Sequence, residues 1–320
     1  MVTYTIKKSK HILHKTFILS VLLTQMHNSG KIILEMECDF MKKLNHEDIL
    51  QFLPDRAVDS HKGDYGRILL LCGSRGYTGA AALAAMGALR CGAGLVYLAV
   101  PESIYQIEAS KLLEPIVLPL PDVDGHFSCT AVKAVCELLP KMDAVLVGPG
   151  IGQSVETRAL TEAVLAHFNG PVILDADGIN VMKLNIDLLR DRTSPTVLTP
   201  HPGEFTRLGG DLTNGRIPGA EALAKDLNAI VVLKVHETVI TDGQTTFVNP
   251  TGNPGMAVGG SGDVLAGMIT ALIGQGLDPL MAAASGAWLH GAAGDLCARD
   301  LGQYAMLPND MLNYLPRLLK

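Results

Sequence analysis

The sequence predicts an α/β fold in which a mainly parallel central sheet is flanked by helices on both faces, with an antiparallel hairpin at one edge. From Arg67 onward, short Val, Ile and Leu runs alternate with helical stretches, the pattern of strands joined by crossover helices. Apolar residues make up 48% of the 320 residues, aromatics only 5%, and there are 33 glycines, a composition that suits small-residue helices on strands buried on both sides. One strand-like run after another ends in glycines or polar residues, and in open α/β sheets ligands bind beyond those carboxyl ends.

The elements follow in order. RILLLCG (67–73) reads as a strand and GAAALAAMGALRCG (79–92) as an Ala-rich helix. LVYLAV (95–100) is the next strand, followed by a helix around SIYQIEASK. DAVLVGPG (143–150), PVILDADG (171–178), TVLTPHPG (196–203) and AIVVLKV (229–235) repeat the form of a buried strand with a polar or glycine-rich end. In TVITDGQTTFV the pattern changes to two alternating segments about Asp242-Gly243, which predicts a hairpin with a two-residue turn at the sheet edge. GDVLAGMITALIGQG and a long stretch from Pro279 to Arg299 read as helices. At the N-terminus, KKSKHILHK and FILSVLL have the charged and apolar parts of a short signal peptide. No A-x-A cleavage pattern follows, and the run falls short of the ~20 apolar residues of a membrane helix. MKKLNHEDILQFLPDR, from Met41, reads as the domain start. Residues 1–43 are expected to be an irregular extension, in part an over-long gene start, and 44–320 a single domain.

Composition also excludes partners. The net charge of −6, with no basic block beyond the extreme N-terminus, lacks a nucleic-acid footprint. Six cysteines without a CxxC pair suit a reducing compartment, so a cytoplasmic protein is expected, with no membrane partner. A P-loop, H-E-x-x-H and G-x-S-x-G are all absent from the sequence, which removes the best support for P-loop NTPase, zinc-protease and serine-hydrolase chemistry.

Six stretches carry candidate chemistry. GSRGYTGAA (73–81) and GPGIG (148–152) are glycine turns after strands, able to bring bare backbone to a ligand or serve as plain tight turns. In DADG (175–178) two acids end a strand: such a pair can hold Mg²⁺ or orient a hydroxyl, while Asp177 alone reads as a helix cap. TPHPGEF (199–205) clamps His201 between prolines, which presents its ring, and puts Glu204 in the first turn of a short helix. LKVHET (233–238) ends a buried strand in Lys234, a cation that needs an anion there, phosphate being the natural one. In GMAVGGSGDVLAGM, Gly260, Ser261 and Gly262 stack N–H groups at the positive end of a helix, beside Asp263 as a proton acceptor. A capping aspartate explains Asp263 but not the glycines around it.

Taken in order, GSRGYTGAA, VGPGIG, ILDADGIN, TPHPGE and NPGMAVGGSGDVLAG resemble the NAD(P)H-hydrate dehydratases, the carbohydrate-kinase-like branch of the ribokinase superfamily. The resemblance runs from about Leu44 to the C-terminus and implies a ribokinase-like fold. It implies repair of (6S)-NADHX and (6S)-NADPHX, hydrated cofactors with a hydroxyl on C6: phosphoryl transfer from ADP, or ATP, to that hydroxyl, then loss of phosphate to restore NAD(P)H. By resemblance, Asp263 is the general base, Gly260, Ser261 and Gly262 form the anion hole, and Lys234, Val235, His236, Glu237 and Thr238, with Gly262, bind the nucleotide. Ala80, Gly152 and His201, with Asp263, bind the hydrated dinucleotide, and Glu204 or Asp177 serve as outer-shell ligands of Mg²⁺. A homotetramer is implied too. Fewer than 60 residues precede the kinase-like part, too few for the epimerase domain of many bacterial relatives, so a separate epimerase is expected. Val235 stands where many members have Gly, and Val258 where Thr is common. The alternatives are a small-molecule kinase of the same fold, of the hydroxyethylthiazole or hydroxymethylpyrimidine type, and a non-catalytic dinucleotide-binding protein.

Overall fold

The computed structural model describes residues 41, 42 and 44–319, so nearly all of the expected N-terminal extension lies outside the described residues. The described residues hold twelve strands: β1 (Met41–Lys42), β2 (Arg67–Leu71), β3 (Leu95–Pro101), β4 (Ile116–Leu120), β5 (Asp122–Val123), β6 (His126–Phe127), β7 (Ala144–Val147), β8 (Val172–Leu174), β9 (Thr196–Leu198), β10 (Ile230–Leu233), β11 (Val239–Thr241) and β12 (Thr246–Val248). Ten form one sheet in the order β1-β12-β11-β10-β9-β8-β7-β2-β3-β4, while β5 and β6 make a separate two-stranded ribbon. Within the large sheet β11 alone runs against the rest.

The helices are α1 (His46–Phe52), α2 (Thr78–Arg90), α3 (Glu102–Lys111), α4 (Ala131–Leu138), α5 (Val155–His167), α6 (Asp177–Met182), α7 (Asp187–Arg190), α8 (Pro202–Arg207), α9 (Arg216–Leu227), α10 (Ser261–Gly274), α11 (Pro279–Leu301), α12 (Pro308–Met311) and α13 (Leu315–Leu318). Because side chains alternate across a strand, Ile68 and Leu70 of β2 enter one core, with α2, α10 and α11, while Leu69 and Leu71 enter the other, with α4, α5 and α9. No helix among the described residues is long and apolar enough to cross a membrane.

The chain leaves β2 for β3 and β4 on one side, then returns to β7 on the other side of β2 and continues to β8, β9 and β10. The β2/β7 boundary is therefore the switch point where a crevice opens at the carboxyl ends. GSRGYTGAA follows β2 and GPGIG follows β7, so the two glycine turns flank it.

The hairpin differs from expectation in two ways. Its loop has four residues, Asp242 to Thr245, because Asp242 Oδ1 accepts the N–H groups of Gln244 (2.8 Å) and Thr245 (2.7 Å) and closes a wider turn. It also does not end the sheet, since β1 adds a short parallel strand outside β12, two residues before the expected domain boundary.

Helix α10 reaches its position through missing side chains. A Cβ on Gly267 would lie 2.0 Å from the Ala84 carbonyl oxygen of α2, and one on Gly87 would lie 2.5 Å from the Val264 carbonyl oxygen. The two helices therefore touch backbone to backbone. Gly267→Ala is expected to cost roughly 2–3 kcal/mol as the helices part, read as a lower urea midpoint with an unchanged m-value.

Candidate active site

Three successive strands end in one polar network. Asp175, beyond β8, is 1% exposed, and its Oδ1 accepts from Thr199 Oγ1 (2.6 Å), beyond β9, and from Lys234 Nζ (2.7 Å), beyond β10. Glu204 Oε2 stands 3.9 Å from the same ammonium. Lys234 thus finds its anion in the protein, where the sequence reading supplied phosphate. Burial alone would depress the Lys234 pKa, but Asp175 and Glu204 outweigh it and hold the ammonium above its ordinary value.

The two acids of DADG face different ways. Ala176 between them has φ +48° and ψ −115°, a conformation that costs about 1–3 kcal/mol for a residue with a Cβ. That turn sends Asp177 toward the GPGIG loop, where its Oδ2 accepts from Gly152 N (3.0 Å) and its Oδ1 from Gln153 Nε2 (2.8 Å). Asp177 is the first helical residue of α6, and Ala176 occupies the cap position, so the capping reading of Asp177 is replaced by a loop-holding one. Gly148 makes the close approach possible: its φ is +142°, and a Cβ there would lie 1.8 Å from the Asp175 carbonyl oxygen.

On the substrate side of the resemblance, Ala80 and the 148–152 loop do meet. A Cβ on Gly150 would lie 3.0 Å from that of Ala80, Ser74 Oγ donates to Gly150 O (2.7 Å), and Gly73 N donates to Pro149 O (2.7 Å). Gly152 packs against the His126 ring. His201 keeps 50% of its side chain exposed, in line with a presented ring. Its Nδ1 accepts the Gly203 (2.9 Å) and Glu204 (3.3 Å) N–H groups, which leaves the proton on Nε2, 3.3 Å from Glu204 Oε1.

The stretch from Val235 to Thr238 forms the turn between β10 and β11. Glu237 has φ +56° and pairs with Arg216 Nη2 (2.5 Å), Arg216 Nη1 also donates to His236 O, and Thr238 Oγ1 donates to Val235 O (3.1 Å). Val235 packs against the apolar core that includes Ala220, Leu223 and Ala224 of α9.

Above this network stands the N-terminus of α10. Gly260 has φ +98°, and a Cβ on it would lie 2.4 Å from Leu83 Cδ1. A Cβ on Gly262 would lie 3.3 Å from Lys234 Nζ and 3.9 Å from Asp175 Oδ2, so the ion pair sits directly beneath the glycine turn. The N–H groups of Gly260 and Gly262 have no partner among the described residues, whereas Ser261 N donates to Val258 O (3.3 Å). Of the three N–H groups expected to face an anion, one is therefore already engaged. Val258 contributes that carbonyl while its side chain is 40% exposed. Asp263, in the first turn, has its pKa pushed up to about 6, chiefly by burial and then by the Asp175 and Asp177 charges, with Lys234 pulling the other way.

Asp177 and Glu204, the carboxylates expected near Mg²⁺, are each engaged as described. Among the described residues no three His, Cys, Asp or Glu side chains gather as a ligand set. That donor set fits a hydrated Mg²⁺ carried on phosphates, which takes one or two carboxylates rather than a protein cage.

Asp175 was visible in the sequence only as one of two acids, without its partner. Thr199 and His290 were missed: Thr199 looked like strand end, and His290, buried on α11 with Nε2 3.4 Å from Ser261 Oγ, lies in an alanine- and glycine-rich run with no motif of its own.

A mainly parallel sheet with a glycine-opened helix carrying an aspartate over the strand ends defines a ribokinase-like α/β protein. The NAD(P)H-hydrate dehydratase family model matches residues 68–317. The chain belongs to that family. It is 45% identical over 275 residues to the bifunctional NAD(P)H-hydrate repair enzyme Nnr of Moorella thermoacetica, covering 84% of this chain and 52% of that protein. It is 34% identical over 281 residues to the ADP-dependent (S)-NAD(P)H-hydrate dehydratase of Bacillus subtilis, covering 86% of this chain and 96% of that one. The crystal structure of the B. subtilis ADP/ATP-dependent NAD(P)H-hydrate dehydratase, co-crystallised with ATP/Mg²⁺, superposes with a TM-score of 0.74 at 33% identity, over 86% of this chain and 96% of that one. This chain spans about half the length of the bifunctional relatives it matches.

Two outcomes follow from the charges. The folded-state pKa of Asp263, about 6, lies above its ordinary value of 3.8, so its ionised form costs stability above pH 6 and nothing below the ordinary value. Asp263→Asn should therefore raise stability at pH 7 to 8 by about 1–2 kcal/mol, after discounting for partial exposure, and the gain should vanish as pH falls to about 4; paired urea melts across this range check it. Lys234→Met leaves Asp175 buried without its cation and should cost roughly 3–5 kcal/mol, measured the same way.

Proposed function

We propose that this protein dehydrates the (6S) hydrates of NADH and NADPH at the expense of a nucleoside polyphosphate, with ADP giving AMP and phosphate. The observation that carries the reading is Asp263 with its pKa near 6, standing beside the free N–H groups of Gly260 and Gly262. A carboxylate of that pKa is ionised at neutral pH and still basic enough to take a proton. The B. subtilis relative's name and its ATP/Mg²⁺ complex support a nucleotide in this role.

In this reaction the C6 hydroxyl attacks the terminal phosphorus of the nucleotide, its proton passes to Asp263, and the shorter nucleotide leaves. The C6–O bond then breaks as phosphate departs with its electron pair, a neighbouring proton is lost, and the ring double bond returns. The protein's part is positioning and charge neutralisation. The Gly260 and Gly262 N–H groups cradle the transferred phosphoryl group, Lys234 supplies positive charge beneath it, and the 235–238 turn takes the nucleotide. Ala80, Gly152 and the Nε2 face of His201 receive the hydrated dinucleotide. Mg²⁺ on the phosphates would add charge neutralisation, with Asp177 or Glu204 holding it through water. The same reading carries a cytoplasmic homotetramer.

The kinase alternative differs in its product, since a kinase releases a phosphorylated compound. Incubation with hydrated NADH and ADP or ATP is expected to restore nicotinamide absorbance with stoichiometric phosphate; accumulation of a phosphorylated hydrate instead would favour the kinase. With the base in place, turnover should fall as pH drops through about 6. Asp263→Asn should lose turnover by ~10²–10⁴-fold while still binding nucleotide by calorimetry, and an active Asn variant would sink the base assignment.

A further inference from the structure

Between β12 and α10 the chain makes a long, half-buried loop that ends at the Gly260–Gly262 turn, and α11 holds it at both ends. At the first end, Asp295 Oδ2 accepts from Gly252 N (2.9 Å) and its Oδ1 from Asn253 Nδ2 (2.9 Å). Asn253 Oδ1 in turn accepts from Gly255 N (3.0 Å), capping the short 3₁₀ turn Pro254–Met256. At the second end, His290 Nε2 lies 3.4 Å from the Ser261 hydroxyl, with both residues buried. Between these anchors the α11 surface is bare: a Cβ on Gly291 would lie 2.2 Å from Thr251 Oγ1, and one on Gly294 2.4 Å from Met256 Sδ. The loop lies flat on the helix for want of side chains. Its middle, Val258 and Gly259, is exposed, and a Cβ on Gly259 would touch nothing within 4 Å.

We propose that Asp295 and His290 are positioning residues of the phosphoryl-transfer site, fixing the two ends of residues 252–261 so that the Gly260 and Gly262 N–H groups are aimed before nucleotide arrives. This rests on the dehydratase reading. The physical need is specific: a cradle of backbone donors works only if it is already oriented, and a shift of about 1 Å costs on the order of 10²-fold in rate. Glycines supply the bare backbone but little rigidity, and the loop's own hydrogen bonds, such as Ser261 N to Val258 O and Gly255 N to Asn253 Oδ1, shape the turns without tying them to the rest of the fold, which is what α11 does. His290 is suited to its place because burial pushes its pKa down to about 4. At neutral pH it is an uncharged ring that orients the Ser261 hydroxyl without competing with Lys234 for the anion.

The test compares wild type, Asp295→Ala, His290→Ala and His290→Asn, using recovery of NADH from its hydrate together with hydrogen exchange of the 252–262 amides. Expected are a 10–100-fold fall in kcat for both alanine variants, at least tenfold faster exchange in 252–262, partial rescue in His290→Asn, and a melting temperature lower by only ~2–4 °C for Asp295→Ala. The proposal falls if kcat stays within twofold of wild type in both alanine variants, or if the loop exchanges at the wild-type rate. It falls equally if kcat is lost only in proportion to folded protein. Should wild type itself restore no NADH with either nucleotide, the dehydratase reading is what fails, and exchange alone then decides: faster exchange keeps the anchoring and unchanged exchange ends it.

Discussion

The Lys234 ammonium, 2.7 Å from Asp175 and beneath the first turn of α10, is the interaction on which the rest of the site depends. A buried ion pair is weak evidence for stability, because desolvating both charges consumes most of what their attraction returns. Its value here is geometric. Asp175 and Lys234 come from strands on either side of β9, and Thr199 of the intervening strand end donates to the same carboxylate oxygen. Three strand ends are thereby locked in register, and a positive charge is fixed under bare backbone without a flexible side chain having to find it. The same pair acts on Asp263, since Asp175 raises its pKa and Lys234 lowers it.

That network in turn requires backbone that most residues cannot adopt. Gly148 admits the Asp175 carbonyl, Ala176 accepts a positive φ so that the two acids beside it diverge, and Glu237 likewise takes a positive φ in the 235–238 turn. Strain of this kind persists only where surrounding contacts over-determine it. Here they do, for Asp175 is held by Lys234 and Thr199 and Asp177 by Gly152 and Gln153. DADG thus ties the end of β8 to the loop after β7, and that loop is joined across the switch point to the turn after β2 by Ser74 Oγ on Gly150 O and Gly73 N on Pro149 O.

Much of this was legible in the sequence, and the reason is local. Parallel strands buried on both faces must be near-continuous apolar runs, so β2, β7, β8 and β10 announce themselves, and glycine turns follow β2 and β7 while polar residues follow β8 and β10. The hairpin turn was misread because Asp242 offers its side chain to two N–H groups further on, which favours a wider loop over the two-residue turn its Asp-Gly pair suggests. Lys234 was rightly judged to need an anion, yet the partner lies 59 residues away in sequence, a distance that periodicity does not encode. His290 and Asp295 were illegible for a related reason: on a helix otherwise read as packing, a side chain that props a distant loop leaves no local pattern.

Asp263 joins the two levels. A carboxylate in the first turn of a helix should ionise easily, because the helix N-terminus favours negative charge. Its pKa is nevertheless pushed up to about 6, chiefly by burial and then by Asp175, with Lys234 pulling the other way. An ordinary capping aspartate would not be placed at that cost, because a neutral Asn or Ser caps as well. The position is costly to the fold, which is the physical support for the proposed proton-accepting role. Val258 needs no special side chain: that side chain is exposed, and its carbonyl, which every residue has, accepts from Ser261 N.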